Sequence, residues 1–212
     1  MGFSSFLESL SKLKNISLLG EDTHAKLSPP YRLALAKQLE EQRKQAKHAG
    51  VLMLFYPKNN TPHLVLILRK TYKGVHSAQV GFPGGKVEKG DTGLKDTALR
   101  ETEEEIGVPK TQISIVKALS ELYIPPSNFI VHPFIGYMQA PAKFIKDDTE
   151  VEAIIEVPLS EFMDNRNITS TKVPTSYKVV VEVPAFNLQG HTVWGATAMM
   201  LSELKLLLNE VL

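Results

Sequence analysis

The stretch Gly84-Gly85-Lys86-Val87-Glu88, running on to Leu99-Arg100-Glu101-Thr102-Glu103-Glu104-Glu105-Ile106-Gly107, constrains this chain more than any other. Two glycines precede a segment on which carboxylates crowd together. Placed on a helix over 93–106 at about 100° per residue, Glu101, Glu104 and Glu105 fall within an arc of roughly 100°, while Leu99, Thr102 and Ile106 form a separate stripe. One stripe faces a core and the other gathers negative charge. Like charges so placed cost roughly 0.2–0.5 kcal/mol per pair on an isolated helix, and more where burial adds to the repulsion. A divalent cation offsets that cost. Carboxylate oxygens with no His or Cys nearby in sequence suit magnesium or manganese better than zinc. Gly84-Gly85 lets backbone approach a ligand or metal closely, Gly107 suits a helix stop, and Pro109 makes continuation difficult. Arg100 lies on the flank of the carboxylate face, within reach of a glutamate or of the glycine loop. A solvated acidic helix is the plainer alternative, but it requires neither a Gly-Gly entry, nor an Arg-Glu pair, nor a stop at this spacing.

The rest of the chain reads as support. Phe3, Phe6, Leu7, Leu10 and Leu13 recur at helical spacing and predict a short amphipathic helix. Its polar face is not strongly basic, so it is expected to pack on the domain or a partner subunit rather than on a membrane surface. Ser28-Pro29-Pro30 opens a second helix carrying Leu33, Leu35, Ala36 and Leu39, charged through Lys47 and stopping at Gly50. Residues 1–49 are therefore a helical extension and 50–212 the main domain. Val51-Leu52-Met53-Leu54-Phe55-Tyr56 and Leu64-Val65-Leu66-Ile67-Leu68 are continuous apolar runs, predicting strands buried on both faces and joined by a turn over 57–62. Arg69, Lys70 and Lys73 form a basic cluster at the exit of the second strand. Further strands are expected over 113–122, 129–138, 151–157 and 177–183. Pro125 and Pro126 stiffen the loop at 123–128, which Tyr123 and Phe129 flank as core plugs or as flat faces for a base. Trp194-Gly195-Ala196-Thr197-Ala198-Met199-Met200-Leu201 leads into a final helix through Leu208, its Trp and Met taken as packing. Strands interspersed with a few helices indicate a mixed α/β sandwich.

Composition excludes several alternatives. A formal net charge of +1 gives no global field to attract nucleic acid or a membrane, so a polyanionic ligand must be held by a local site. The absence of cysteine rules out disulfides, a zinc-thiolate site and thiol catalysis. Neither a signal-peptide pattern nor a run long enough for a membrane span is present, and a cytoplasmic protein with a small-molecule partner is expected.

The segment 85–108 resembles the Nudix box: a glycine, an acid, then Arg-Glu, two further glutamates and a terminal glycine. Asp91 stands for the usual glutamate, the gap from it to Arg100 is one residue longer than the general pattern, and Thr102 replaces a bulky aliphatic residue. These departures look like the coenzyme A pyrophosphatase branch. Leu66-Ile67-Leu68-Arg69, followed by His76-Ser77-Ala78-Gln79-Val80-Gly81-Phe82-Pro83-Gly84-Gly85, is similar to the additional motif of that branch, with Ala78 where Gly is common. The motifs cover 66–108; the strands to Val157 and the segment 194–199 agree more loosely, and residues before Gly50 lie outside the resemblance.

The resemblance implies a Nudix-type α/β/α sandwich with a mixed β-sheet and an N-terminal helical extension, and Mg2+ or Mn2+ as cofactor. It implies Glu101 and Glu105 as the main metal ligands, with Glu104 assisting and Gly85 lending its carbonyl. Arg100 would hold loop and helix together on the substrate side, where Arg69, Lys70, Gln79, Phe82 and Gly84 also belong. The general base would be Glu101, through a metal-bound water, or Glu150 in Asp147-Asp148-Thr149-Glu150-Val151. His76, His132 and His191 are isolated and expected to be structural, with only His76 supported by its motif. The implied reaction is hydrolysis of the pyrophosphate of coenzyme A or an acyl derivative to 3′,5′-ADP and 4′-phosphopantetheine. Two alternatives stay open: the same chemistry on another nucleoside diphosphate conjugate such as ADP-ribose, and a Nudix-fold module that senses a nucleotide without cutting it. Retention of all three glutamates speaks against the second. A homodimer is left open.

Overall fold

The computed structural model describes residues 1–18, 20, 39–71, 78–174 and 180–212. Its centre is the hairpin of β1 (Lys47–Lys58) and β2 (Thr61–Arg69), joined by Asn59-Asn60 with φ of 51° and 60°. Two left-handed central residues make the tight turn whose twist matches the flanking strands, and asparagine tolerates that conformation. The expected six-residue turn therefore shrinks to two, and Pro57 pairs with Pro62 inside the ladder.

The other edge of β1 runs parallel to β7 (Phe129–Tyr137), from Lys47 opposite Phe129 to Phe55 opposite Tyr137. This pairing corrects the expected second helix. Residues 28–38 of it lie outside the described residues; the remainder holds one helical turn, α2 (Glu40–Arg43), and by Lys47 the backbone is already committed to β7. An eight-stranded mixed sheet grows around the hairpin in the order β3-β2-β1-β7-β5, where β3 is Val80–Gly81 and β5 is Ser114–Ala118. β4 (Gly84–Lys86) pairs with β1, β6 (Leu122–Ile124) with β7, and β8 (Val151–Pro158) with β2. The single strand expected over 113–122 is thus two. Between them the Ser120 amide and hydroxyl both turn to the buried carboxylate of Glu203, and the hydroxyl lies 2.7 Å from it.

Continuous apolarity does correspond to burial on both faces. Leu52, Leu54, Tyr56, Val65 and Ile67 join Ala98 and Ile106 of α3 (Leu94–Ile106) in one cluster. Met53, Phe55, Leu64 and Leu66 join Phe6 and Leu10 of α1 (Phe3–Lys12) and Leu204 and Leu207 of α5 (Gly195–Asn209) in the other. Phe6 and Phe55 pack with their rings tilted and centroids 4.9 Å apart, so the N-terminal helix is part of the core. Each side chain fully buried in this way contributes roughly 1.5–3 kcal/mol.

A short helix, α4 (Leu159–Met163), leads to a second, three-stranded antiparallel sheet of β9 (Ile168–Pro174), β10 (Val180–Leu188) and β11 (His191–Trp194). Sequence reading expects only 177–183 there. Gln189-Gly190, with φ of 51° and 76°, closes β10 onto β11 and delivers the chain to α5. No helix among the described residues is long and apolar enough to cross a membrane.

Candidate active site

Helix α3 lies against β1 and β4. Thr102 and Ile106 are buried, and the Thr102 hydroxyl donates to the Ala98 carbonyl at 2.6 Å, which lets a polar residue occupy the core stripe. The three glutamates then leave the helix at different depths: Glu104 is exposed, Glu101 nearly buried, and Glu105 only 2% exposed.

Strand β4 explains the two glycines. A Cβ on Gly85 would sit 2.4 Å from Cδ and Oε1 of Glu101, so that carboxylate rests directly on bare backbone. The Gly84 amide, on a residue with φ of 149°, donates to Oε2 of Glu105 at 2.8 Å. Burial pushes the Glu105 carboxyl up to about 7, the negative charges of Glu101 and Glu150 add to the rise, and Arg69 and the Gly84 amide partly offset it. Glu101 is also raised by burial, against the opposing pull of Arg100.

Arg100 organises the entry to the helix. Its Nε and one terminal nitrogen grip both oxygens of Asp91, at 2.8 and 3.1 Å, and the same terminal nitrogen reaches the Lys86 carbonyl and Glu101. Its other terminal nitrogen donates to Glu104 at 2.9 Å. Asp91 also accepts from the Glu88 amide and the Thr97 hydroxyl, and its carboxyl is held well below the usual range, chiefly by Arg100. The residue that departs from the general Nudix pattern is therefore the anchor of the loop between β4 and α3. This fastening is a positioning role, as the resemblance implies for Arg100.

The β2–β8 register shifts between Leu68 and Arg69. Such irregularities re-aim side chains beside sites. Arg69 enters the cavity wall, donates to Glu105 at 3.2 Å and lies 3.8 Å from Glu150. Lys70 turns away to Glu152 at 2.7 Å and does not line the cavity, which corrects its expected place on the substrate side. Lys73 and His76 lie outside the described residues. His132 faces His48 at 3.0 Å, away from the cavity wall.

A cavity of about 580 Å³ opens beside these groups. Gln79, Phe82, Gly84, Gly85, Arg69, Arg100, Glu101, Glu104 and Glu150 all line it, and Glu105 stands behind the wall. Trp194 and Met200, taken as packing, line the cavity with Ala196; Phe129, one of the two flat faces flanking the proline loop, lines it too, while Tyr123 is core, its hydroxyl on Asn128. The loose agreement of 194–199 with the resemblance is the local signal that could have marked Trp194, which β11 and α5 bring from far along the chain.

The carboxylates do not converge on one point. Among the described residues no three of His, Cys, Asp and Glu gather as a metal cluster; Arg69 and Arg100 draw Glu105 and Glu104 apart. The donors nevertheless suit a hard divalent cation. They are all oxygens, no histidine or cysteine stands among the described wall residues, and burial leaves Glu105 and Glu101 in need of positive charge beyond the arginines.

A sequence profile described as the NUDIX domain matches residues 46–176. The chain is 31% identical over 158 residues to an uncharacterized Nudix hydrolase NudL of Photorhabdus laumondii, covering 74% of this chain and 83% of that one. Its NudL counterpart in Yersinia pestis is 31% identical over 146 residues, covering 68% and 71%. The fold is similar to that of a MutT/nudix family protein from Enterococcus faecalis, with a TM-score of 0.51 at 16% identity over 80% of this chain and 67% of the other. A MutT protein from Methanosarcina mazei gives 0.50 at 17% identity over 77% and 95%. With its glutamate helix set against a glycine strand and its domain matched over most of its length, the chain belongs to the Nudix family and is a Nudix hydrolase.

Proposed function

We propose that this enzyme hydrolyses the pyrophosphate bond of coenzyme A or an acyl derivative, releasing 3′,5′-ADP and (acyl-)4′-phosphopantetheine. The observation that carries the reading is a shared cavity. Gln79 and Phe82, from the segment similar to the additional motif of the coenzyme A branch, stand in one wall with Gly85, Glu101 and Arg69. The substrate is a soluble small molecule, so neither nucleic acid nor membrane is called for as a partner.

Nudix hydrolases generally use divalent metals. Here Glu101 and Glu105, assisted by Glu104 and the Gly85 carbonyl, would hold Mg2+ or Mn2+. When bound, the cation neutralises pyrophosphate charge and makes water a better nucleophile. The chain's own residues prepare that event. Arg69 and the Gly84 amide fix Glu105, and Arg100 fixes the loop against Glu101. Glu101 and Glu150, both in the wall, are the carboxylates able to take the proton of the attacking water. Buried Phe82 keeps bulk water from the same wall.

Side-by-side kcat/KM values for coenzyme A and ADP-ribose with Mg2+ and Mn2+, with products separated by chromatography, test the assignment. Faster turnover of coenzyme A to 3′,5′-ADP is expected. Far faster hydrolysis of ADP-ribose would overturn the coenzyme A assignment and leave a pyrophosphatase of another specificity.

A further inference from the structure

The cavity is chemically two-sided. Its carboxylates and arginines crowd one end, beside β4 and α3. The other end is walled by Ile124, Val131 and Met200, each no more than 9% exposed, with Phe129 and Trp194 nearer the opening. Two hydroxyls reach this end, and both give their proton to backbone carbonyls: Thr197 donates to Val80 at 3.0 Å, and Ser127 turns to Ile124. Among the described residues, the side chains of the apolar end therefore offer a base edge little beyond the Trp194 indole N–H, a donor only, and the oxygens of these two hydroxyls.

The backbone adds further donors there. Gly195 and Ala196 begin α5 in the cavity wall, and no side chain caps this helix. Its first N–H groups can donate but not accept. A purine presents ring-nitrogen acceptors and an amino donor, and burying such groups unpaired costs about 1–3 kcal/mol each. The pantetheine arm suits an apolar wall that carries donors. Next to its phosphate it carries a quaternary carbon with two methyl groups, and its later polar groups include amide carbonyls that accept.

We infer that the slot between the sheet and the start of α5 receives the pantetheine arm, so that Trp194, Ala196 and Met200 are specificity-determining residues and the adenosine half lies towards the opposite, polar mouth. The inference rests on the proposed coenzyme A reading and adds the direction in which the substrate lies. The two methyl groups, at about 0.8 kcal/mol each, correspond to about 15-fold in affinity.

Trp194 is the only tryptophan in the chain, so its fluorescence reports on the slot. The wild-type protein with Mg2+ is titrated separately with 4′-phosphopantetheine and 3′,5′-ADP. A saturable change in emission with the first and none with the second is expected, and an analogue lacking the two methyl groups should bind about 15-fold more weakly. Ala196→Phe, which fills the slot, should weaken phosphopantetheine binding about 10-fold or more while the inhibition constant of 3′,5′-ADP stays within about twofold. A general loss of structure would move both constants. If coenzyme A is hydrolysed yet 3′,5′-ADP moves the emission as much as phosphopantetheine does, or neither moves it, the orientation is wrong and the substrate reading survives. If coenzyme A is not hydrolysed at all, the substrate reading fails, and the orientation with it.

Discussion

Gly85→Ala separates function from stability more cleanly than any change to a charged residue. An added Cβ would stand 2.4 Å from Cδ and Oε1 of Glu101 and 2.6 Å from Oε2, while ordinary contact begins near 3.4 Å. The carboxylate must retreat by about 1 Å. The obstructing atoms are the far end of a flexible side chain, so the backbone of β4 need not move. An alanine in an extended strand also restricts the unfolded chain, which offsets part of any strain, and stability should change by less than about 1 kcal/mol. Misplacing a catalytic group by about 1 Å costs on the order of 100-fold in rate. Expected, then, is a variant whose Tm lies within about 4 °C of wild type and whose kcat/KM falls about 100-fold, with weakened Mn2+ affinity by calorimetry. Gly84→Ala is the control. Its Cβ would meet backbone, 2.4 Å from the Gly50 carbonyl and 2.6 Å from the Val51 Cα, and should cost about 1–3 kcal/mol or more of stability. Full activity in Gly85→Ala would refute the proposal that Glu101 acts from its place on the glycine backbone.

Without divalent cations, Glu105 should make the protein less stable as pH rises. Its carboxyl titrates at about 7 in the fold against an ordinary 4.5, so the protonated form is favoured. This contribution is complete below pH 4.5 and is lost through pH 7, about 3 kcal/mol in all. Urea unfolding in a chelator at pH 5 and pH 8 should show it, Glu105→Gln should flatten the difference, and a wild-type protein no less stable at pH 8 would contradict it. Arg100→Lys keeps the charge but not the paired grip on Asp91, and should lower stability by about 1.5–3 kcal/mol on thermal unfolding; an unchanged Tm would mean that Asp91 is not the loop's anchor. Ala78 has φ of 54°, a conformation that costs an L-residue roughly 1–2 kcal/mol, so Ala78→Gly should stabilise by about 0.5–1 kcal/mol after the added chain entropy. A lower Tm in that variant would argue against the left-handed backbone there.

The sequence made the acidic helix legible because its chemistry is local. Helical periodicity alone separates Glu101, Glu104 and Glu105 from Thr102 and Ile106, although it does not reveal that Glu105, at the boundary of the two stripes, is buried. The central strands were legible for a related reason: continuous apolar runs have no exposed face to spare, and both faces of β1 and β2 are covered. What sequence reading missed depends on partners far away in the chain. Lys47 to Gly50 looks like a helix end until β7 supplies a parallel neighbour, and Lys70 looks like a companion of Arg69 until the irregularity at Leu68 sends it to Glu152. Trp194 reads as packing because its role depends on the β10–β11 hairpin, whose Gln-Gly turn lacks the usual Asn-Gly signature.

We propose that the carboxylate face of α3 is a cation site poised beside the glycine strand. A crystal of the protein soaked in Mn2+ tests it most directly through the anomalous signal of the metal. Expected is a peak bounded by carboxylate oxygens of Glu101 and Glu105 and by the Gly85 carbonyl, with Arg69 displaced from Glu105. A peak elsewhere, or none while Glu105 remains on Arg69 and the Gly84 amide, would contradict it.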